Sequence, residues 1–436
     1  MRRRDLGSFL KRQQVISRRV SNSLRPYLAV LIVLICLWGI WDAGRAGLSR
    51  LFSSSSRRTG SLELSDRAVN LSASDPEAHI ARALVLSGKG ETVERVNEIE
   101  RAAALRPRDF YLWIELGEAR DHSGDKQGAL AAFSESARRA PYYANPRWYL
   151  GNFYLRNGRY ADAFAELRRA YASDPTLLPA VIDLAWRASN RNADAVREAI
   201  RAENGETRLV LEAFFIEHEE VAEAVKTFTE VSRPPDWERR ELLSRLLAAK
   251  RFTESFEVWS KGREGSSGNT GNGMGTVIDG DFEGKIALDE PAFGWQFPGN
   301  IPTVRALLDN SDPHAGAQSL RLKYQGDSEP GAPIVSQLVL VEPNTRYRVK
   351  FAARTNDLIT GGSPLVAAVD ALDEHVLAQS VSLPRGTSEW RDYVLDFVTP
   401  EKASAVLIQI RRQSCEDQRC PIFGDVWFDT FSLQKS

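Results

Sequence analysis

Four patterns of apolar and polar positions divide the chain. From Pro26 to Trp41 the stretch "PYLAVLIVLICLWGIW" carries no charge, which predicts a helix able to cover most of a hydrocarbon core of about 30 Å if its ends snorkel. From 62 to 260 apolar residues recur at helical spacing, broken by short turns such as "HSGDKQG" and "RNGRY", where glycine stands at the point a helix must stop. "KGREGSSGNTGNGMGT", from Lys261 to Thr276, then has the composition of a flexible tether. From 277 to 436 the period changes to alternation: "SLRLKY", "IVSQLVLV", "YRVKFAART", "PLVAAVDA" and "WRDYVLDFVT" read as strands bounded by turn residues. The expected fold class is multidomain: a single N-terminal transmembrane helix (26–44), an all-α solenoid (62–260), a linker (261–276) and an all-β jelly-roll sandwich (277–436).

The helical part repeats. Pro107, Pro141 and Pro175 are 34 residues apart (141 − 107 and 175 − 141), and small and large residues recur in register before each: Gly117, Ala129 and Phe133, then Gly151, Ala163 and Leu167. This arrangement resembles the tetratricopeptide repeat (TPR), in which small residues let two antiparallel helices approach and large ones fill the gap between pairs. The resemblance implies five or six helical hairpins and a concave groove for protein partners. The groove positions it implies are Tyr111, Ile114, Glu118, His122, Trp148, Asn152, Leu155, Arg156, Ile182 and Trp186. Among them, Asn152 offers an amide and Arg156 a guanidinium suited to a peptide backbone or carboxylate.

In the alternating part, "DGDFEG", Gly294–Trp295, "HAGAQSLRL", "VEPNTRYRVKFAART", "GTSEWRDYVLDFVTP" and the closing "GDVWFDTFSL" follow one another in an order that resembles carbohydrate-binding modules with a galactose-binding-like fold. The resemblance implies a glycan held on aromatic faces, with Tyr324, Tyr393 and Trp427 as the candidates, and core packing for Trp295 and Trp390. It also implies a place for a structural calcium, with Asp281, Glu283 and Asp429 where the chain ends meet; turn formation and strand-end solvation are the equal alternative for these acids.

Charge and cysteines change the picture only locally. Lys and Arg (57) nearly cancel Asp and Glu (58), so the chain has no global footprint for nucleic acid. The first 25 residues, by contrast, hold Arg2, Arg3, Arg4, Lys11, Arg12, Arg18, Arg19 and Arg25 against Asp5 alone. A basic arm (1–25) before an uncleaved signal anchor predicts a bacterial inner-membrane protein of single-pass topology, N-terminus cytoplasmic and bulk periplasmic. Cys415 and Cys420, across "CEDQRC", are placed to close a small disulfide loop in an oxidising compartment, while zinc lacks a third nearby ligand. No hydrolase, metalloprotease or phosphate-loop motif is present, the five histidines are scattered, and no cofactor is required. The expectation is a non-enzymatic, membrane-held scaffold that binds protein partners and polysaccharide in exopolysaccharide synthesis, export or envelope assembly. The alternative is a carbohydrate-active enzyme, or a derivative that has lost its activity.

Overall fold

The computed structural model describes residues 25–261, 273–284, 293–297, 302–415 and 420–436. The basic arm up to residue 24 and most of the expected tether lie outside them. Fourteen α-helices precede nine β-strands among the described residues, and the chain divides into two compact units, Met1–Pro175 and Thr176–Ser436.

The first unit is built of α1 (Arg25–Thr59), α2 (Leu62–Leu71), α3 (Pro76–Lys89), α4 (Thr92–Leu105), α5 (Phe110–His122), α6 (Lys126–Arg139), α7 (Ala144–Arg156) and α8 (Tyr160–Ser173). Helix starts at 76, 110 and 144, and at 92, 126 and 160, keep the spacing of 34 residues (110 − 76 and 144 − 110; 126 − 92 and 160 − 126). The helices begin where local chemistry makes them begin. Asp75 and Asp109 accept the N–H of Glu77 and Tyr111, and Pro76 opens α3, where a missing N–H costs nothing. Within a pair, a Cβ on Gly117 would stand 2.7 Å from the Phe133 ring and one on Gly151 2.8 Å from Leu167, so glycine sets the closeness of α5 to α6 and of α7 to α8.

The stack starts earlier than the helical period predicts. Residues Pro26 to Arg45 of α1 are exposed on every side, but further along the same helix Ser49, Ser53 and Ser56 are buried against α2 and α3. The Ser49 hydroxyl donates to the Ala68 carbonyl at 2.9 Å, and Arg45 donates through Nε and Nη2 to the Leu71 carbonyl. One unbroken helix therefore supplies both the apolar stretch and the first layer of packing.

The second unit joins α9 (Leu178–Ala188), α10 (Ala193–Ile200), α11 (Gly205–Glu217), α12 (Val221–Thr229), α13 (Asp236–Ala248) and α14 (Phe252–Lys261) to nine antiparallel strands. These are β1 (Val304–Asp309), β2 (Ser319–Asp327), β3 (Val335–Leu340), β4 (Arg346–Thr360), β5 (Pro364–Asp370), β6 (Val376–Gln379), β7 (Gly386–Val398), β8 (Ala405–Arg412) and β9 (Pro421–Lys435). They form a five-stranded sheet, β1-β2-β9-β4-β7, and a four-stranded sheet, β3-β8-β5-β6. Leu322, Phe351, Leu395 and Phe428 of the first sheet share one core with Val339, Val366 and Ile408 of the second.

The outer face of the smaller sheet is not left to solvent. Leu338, Leu340 and Ala405, together with Phe293, join Val225, Phe228, Leu246 and Trp259 of the helices in a second apolar cluster. Phe293 meets Phe256 edge-on at 5.0 Å. The end of the expected tether is also pinned, since Gly275 donates its N–H to the Leu340 carbonyl at 2.8 Å. Deeper among the helices, Arg208 donates from Nε and Nη2 to the two carboxylate oxygens of Glu238 at 2.8 and 2.6 Å, and both side chains are buried. Beside this pair Glu212 is fully buried, and neither of its oxygens has a hydrogen-bond partner among the described residues. Burial, reinforced by the Glu238 charge, pushes its carboxyl up to about 8 despite Arg208 and Arg245.

Candidate functional site

Two surfaces carry the residues singled out by the sequence, one in each unit. In the first unit, Tyr111 on α5 is 53% exposed, and its phenol oxygen accepts from Asn145 Nδ2 at the start of α7. Glu118, two turns along α5, is half-buried; burial first and the neighbouring Glu115 second raise its carboxyl above the usual range. The Tyr149 phenol is raised in turn by burial and by Glu118, Glu115 and Tyr111. Glu115 also borders a cleft of about 210 Å³ between α3 and α5, lined by Ile80, Ala83, Leu84 and Leu112, with Arg57 and Arg95 at its edge. Leu84, 56% exposed, offers apolar surface there.

The groove residues expected to grip a peptide are already engaged. Asn152 donates from Nδ2 to the Trp148 carbonyl one turn back at 2.9 Å, leaving Trp148 half-buried above it, and Arg156 pairs with Asp121 at 2.8 Å. Ile114 lies in the core between helix pairs, so it shapes the surface from beneath. Trp186 belongs to the second unit; at 7% exposed it is packed edge-on against Phe214 and His218, and Ile182 beside it is fully buried. The structure thus brings Tyr111, Glu118, Asn152 and Arg156 onto neighbouring helices and adds Glu115 and Tyr149. Their signal in the sequence was spacing: Glu115 precedes Glu118 by one turn, and Tyr149 occupies the next repeat.

The second surface is the outer face of the five-stranded sheet. Antiparallel register sets Arg321 of β2 and Arg354 of β4 on either side of Trp427 in β9. Arg354 lies 4.0 Å and Arg321 5.0 Å from the centroid of its ring, and the indole N–H donates to Asp309 Oδ2 at 2.8 Å. Arg354 also lies 5.5 Å from the ring of Trp390, whose N–H donates to the Asp312 carbonyl and whose other neighbour is His314. Burial pushes Asp309 up, but hydrogen bonds from Ser311 and Trp427 and the charge of Arg321 outweigh it and bring its carboxyl down to about 2.

The glycan candidates fare unevenly on this geometry. Trp427, 5% exposed, has the guanidinium groups of Arg354 and Arg321 over its ring and is not an open stacking platform. Tyr324 is a core residue, 2% exposed, with its phenol raised by burial. Tyr393 turns inward and stacks on Phe351 at 5.3 Å. Trp295 packs in the core against Phe282, as expected, whereas Trp390 lies half-buried outside it. The residues the sequence reading passed over are Arg321, Arg354 and Asp309; they are far apart in the chain, and only strand register unites them.

The three acids expected near the chain ends do not converge. Asp429 is fully buried and accepts the N–H groups of His314, Ala315 and Thr430, while burial holds its carboxyl above the usual range. Glu283 Oε1 accepts from Ala317 and Gln318, and Asp281 is exposed. Donor groups, which repel a cation, thus face both engaged carboxylates. Among the described residues no three His, Cys, Asp or Glu side chains are grouped to hold a metal ion. Cys415 and Cys420 are bridged, and Cys36 lies exposed in the apolar part of α1.

No protein-family model and no curated protein matches the chain. Among solved structures, one described as "CBM4 structure and function" is similar over 37% of this chain and 99% of its own, with 13% identity and a TM-score of 0.28. MamA from Desulfovibrio magneticus RS-1 is similar over 43% of this chain and 92% of its own, with 18% identity and a TM-score of 0.28. A MamA RS-1 double mutant covers 48% and 96%, with 17% identity and the same TM-score. Likenesses at this level carry no argument about what the chain does.

Proposed function

We propose that the protein is a non-enzymatic scaffold held in a bacterial inner membrane by α1. Its TPR-like helix pairs present the α3–α5–α7 face to a protein partner outside the cytoplasm, and its jelly-roll sandwich contacts polysaccharide, in exopolysaccharide synthesis, export or envelope assembly. The observation that carries the reading is the continuity of α1: an apolar stretch exposed on every side runs without a break into a packed stack of repeats. Among the described residues a helix of that kind has no folded partner for its apolar surface, and lipid supplies one. The basic residues before it favour a cytoplasmic N-terminus.

Cell fractionation tests the anchor. The full-length chain is expected to stay with membranes after alkaline carbonate washing and to be digested by protease from the periplasmic side; a soluble product lacking its first 40 or so residues would overturn the anchor. Glycan binding is to be measured on the whole chain in detergent, because cutting before the sandwich would bare Leu338, Leu340 and Ala405. Retention of one polysaccharide class supports the sandwich's role, and no retention refutes it.

A further inference from the structure

The end of the sandwich that carries the disulfide also carries a buried cation. Arg412, at the end of β8, is 2% exposed and uses all five of its N–H donors. Nε donates to the Gly362 carbonyl, Nη1 to the carbonyl and hydroxyl of Ser328, and Nη2 to the Thr360 hydroxyl and to Cys420 Sγ, the last at 2.8 Å. Every one of these acceptors is neutral, and no carboxylate pairs with Arg412 among the described residues. Tyr324 and Asp327, the latter opposite Pro421 in the β2–β9 ladder, attract the guanidinium electrostatically without bonding to it, and a buried guanidinium with no bonded counter-charge is costly. A thiolate on Cys420 would supply that charge in place.

The two sulfurs are not equally placed. Cys420 is buried against Arg412, whereas Cys415 is only half-buried and rests on the turn at Gly361 and Gly362. Gly361 is exposed, and a Cβ there would stand 2.8 Å from Cys415 Sγ. Access is therefore from the Cys415 side, and the charge that favours departure is on the Cys420 side.

We propose that Cys415–Cys420 is an exchangeable disulfide, attacked at Cys415 by a dithiol reductant and releasing Cys420 as a thiolate held by Arg412. The attacking thiolate bonds to Cys415 Sγ, the bond between the cysteines breaks, and its electron pair stays on Cys420 Sγ. The second thiol of the reductant then gives up its proton and attacks the mixed disulfide, and Cys415 leaves and takes a proton. The protein gains two electrons, and the dithiol ends as a disulfide. A stabilised leaving thiolate speeds such exchange and favours the reduced form at equilibrium.

Two measurements on the full-length chain in detergent, with Cys36→Ser throughout, test this. With Cys415→Ser added, Cys420 is the sole thiol, and its thiolate absorbance near 240 nm is titrated against the same protein carrying Cys420→Ser. Half-ionisation at or below pH 7 is expected, a tenfold or greater gain in thiolate at neutral pH over an ordinary cysteine with a pKa of about 8.5; half-ionisation at or above that value overturns the proposal. In the second, the bridge is equilibrated with glutathione buffers and the free thiols are counted by maleimide mass shift. The reduced-to-oxidised ratio is expected to be at least tenfold higher with Arg412 than with Arg412→Met, and equal ratios overturn the proposal. If Arg412→Met does not fold, the thiolate titration decides alone.

Discussion

Replacing Glu212 by Gln leaves a side chain of the same shape in the same place and removes one ionisable group. In the folded chain that group titrates at about 8, against about 4.3 in an unfolded peptide. The raised value makes its contribution to stability fully present below the unfolded pKa and lost as pH rises through the folded one. Between those limits each pH unit removes about 1.4 kcal/mol, so from pH 5 to pH 7 the wild type is expected to lose roughly 2–3 kcal/mol relative to the Gln variant. A value of this size corresponds to about a hundredfold change in local opening. Because the unit has several layers, the assay is amide hydrogen exchange of peptides from α11 and α13, comparing the two proteins at the same pH. The difference in protection should be smallest at pH 5, where only about 1 kcal/mol has been lost, and should widen in favour of Gln by pH 7 and further by pH 8. If the two proteins stay parallel from pH 5 to pH 8, Glu212 is not the isolated buried acid that its surroundings make it, and the argument from desolvation fails.

Three other outcomes follow from the geometry. Gly117→Val should drive a branched side chain into the Phe133 ring; overpacking of this kind costs about 1–3 kcal/mol, and a thermal scan should register it as a lowered first transition, whereas an unchanged scan would mean that α5 and α6 can part freely. Trp427→Phe keeps a ring between the two arginines but removes the N–H that Asp309 accepts; the Asp309 carboxyl, followed by carbon NMR, should titrate upward by about one unit or more, and an unmoved value would discount that bond. Calcium added to the full chain should leave its melting temperature unchanged, since Glu283 and Asp429 hold backbone donors; a calcium-dependent rise would show that the 314–318 loop turns its carbonyls inward instead.

What the sequence displayed and what it concealed divide along physical lines. The repeat was visible because each pair of helices solves the same packing problem, so Gly117 and Gly151 recur at the same offset from Phe133 and Leu167. The first layer was hidden because its buried positions are serines. Ser53 and Ser56 return their hydroxyls to carbonyls of their own helix, so a polar-looking face can pack closely. The burial of the smaller sheet on both faces did leave a trace: all seven residues of β5 are buried, and "PLVAAVD" is continuously apolar up to its last residue, as strands covered on both faces are. The arginines that enclose Trp427 left none, since Arg321 and Arg354 reach it only through pairing with β9. An aromatic residue in a strand advertises area, and whether that area is free depends on neighbours far away in the chain, here 73 and 106 positions earlier (427 − 354 and 427 − 321).

The unbroken course of α1 also makes the direction in which the stack faces a matter of counting. An α-helix turns about 100° and advances 1.5 Å per residue, and α1 runs as one helix from Trp41 to Ser49 through Gly44 and Gly47. One residue inserted in that interval would swing the whole face of α3, α5 and α7 by more than a quarter-turn about the axis of α1, while seven would return it nearly to its starting bearing about 10 Å further along. The spacing between the apolar stretch and the first buried serine is thus a compass setting, and its length is constrained in steps of whole turns, with Arg45 alone in the interval tied by hydrogen bonds to α2 among the described residues.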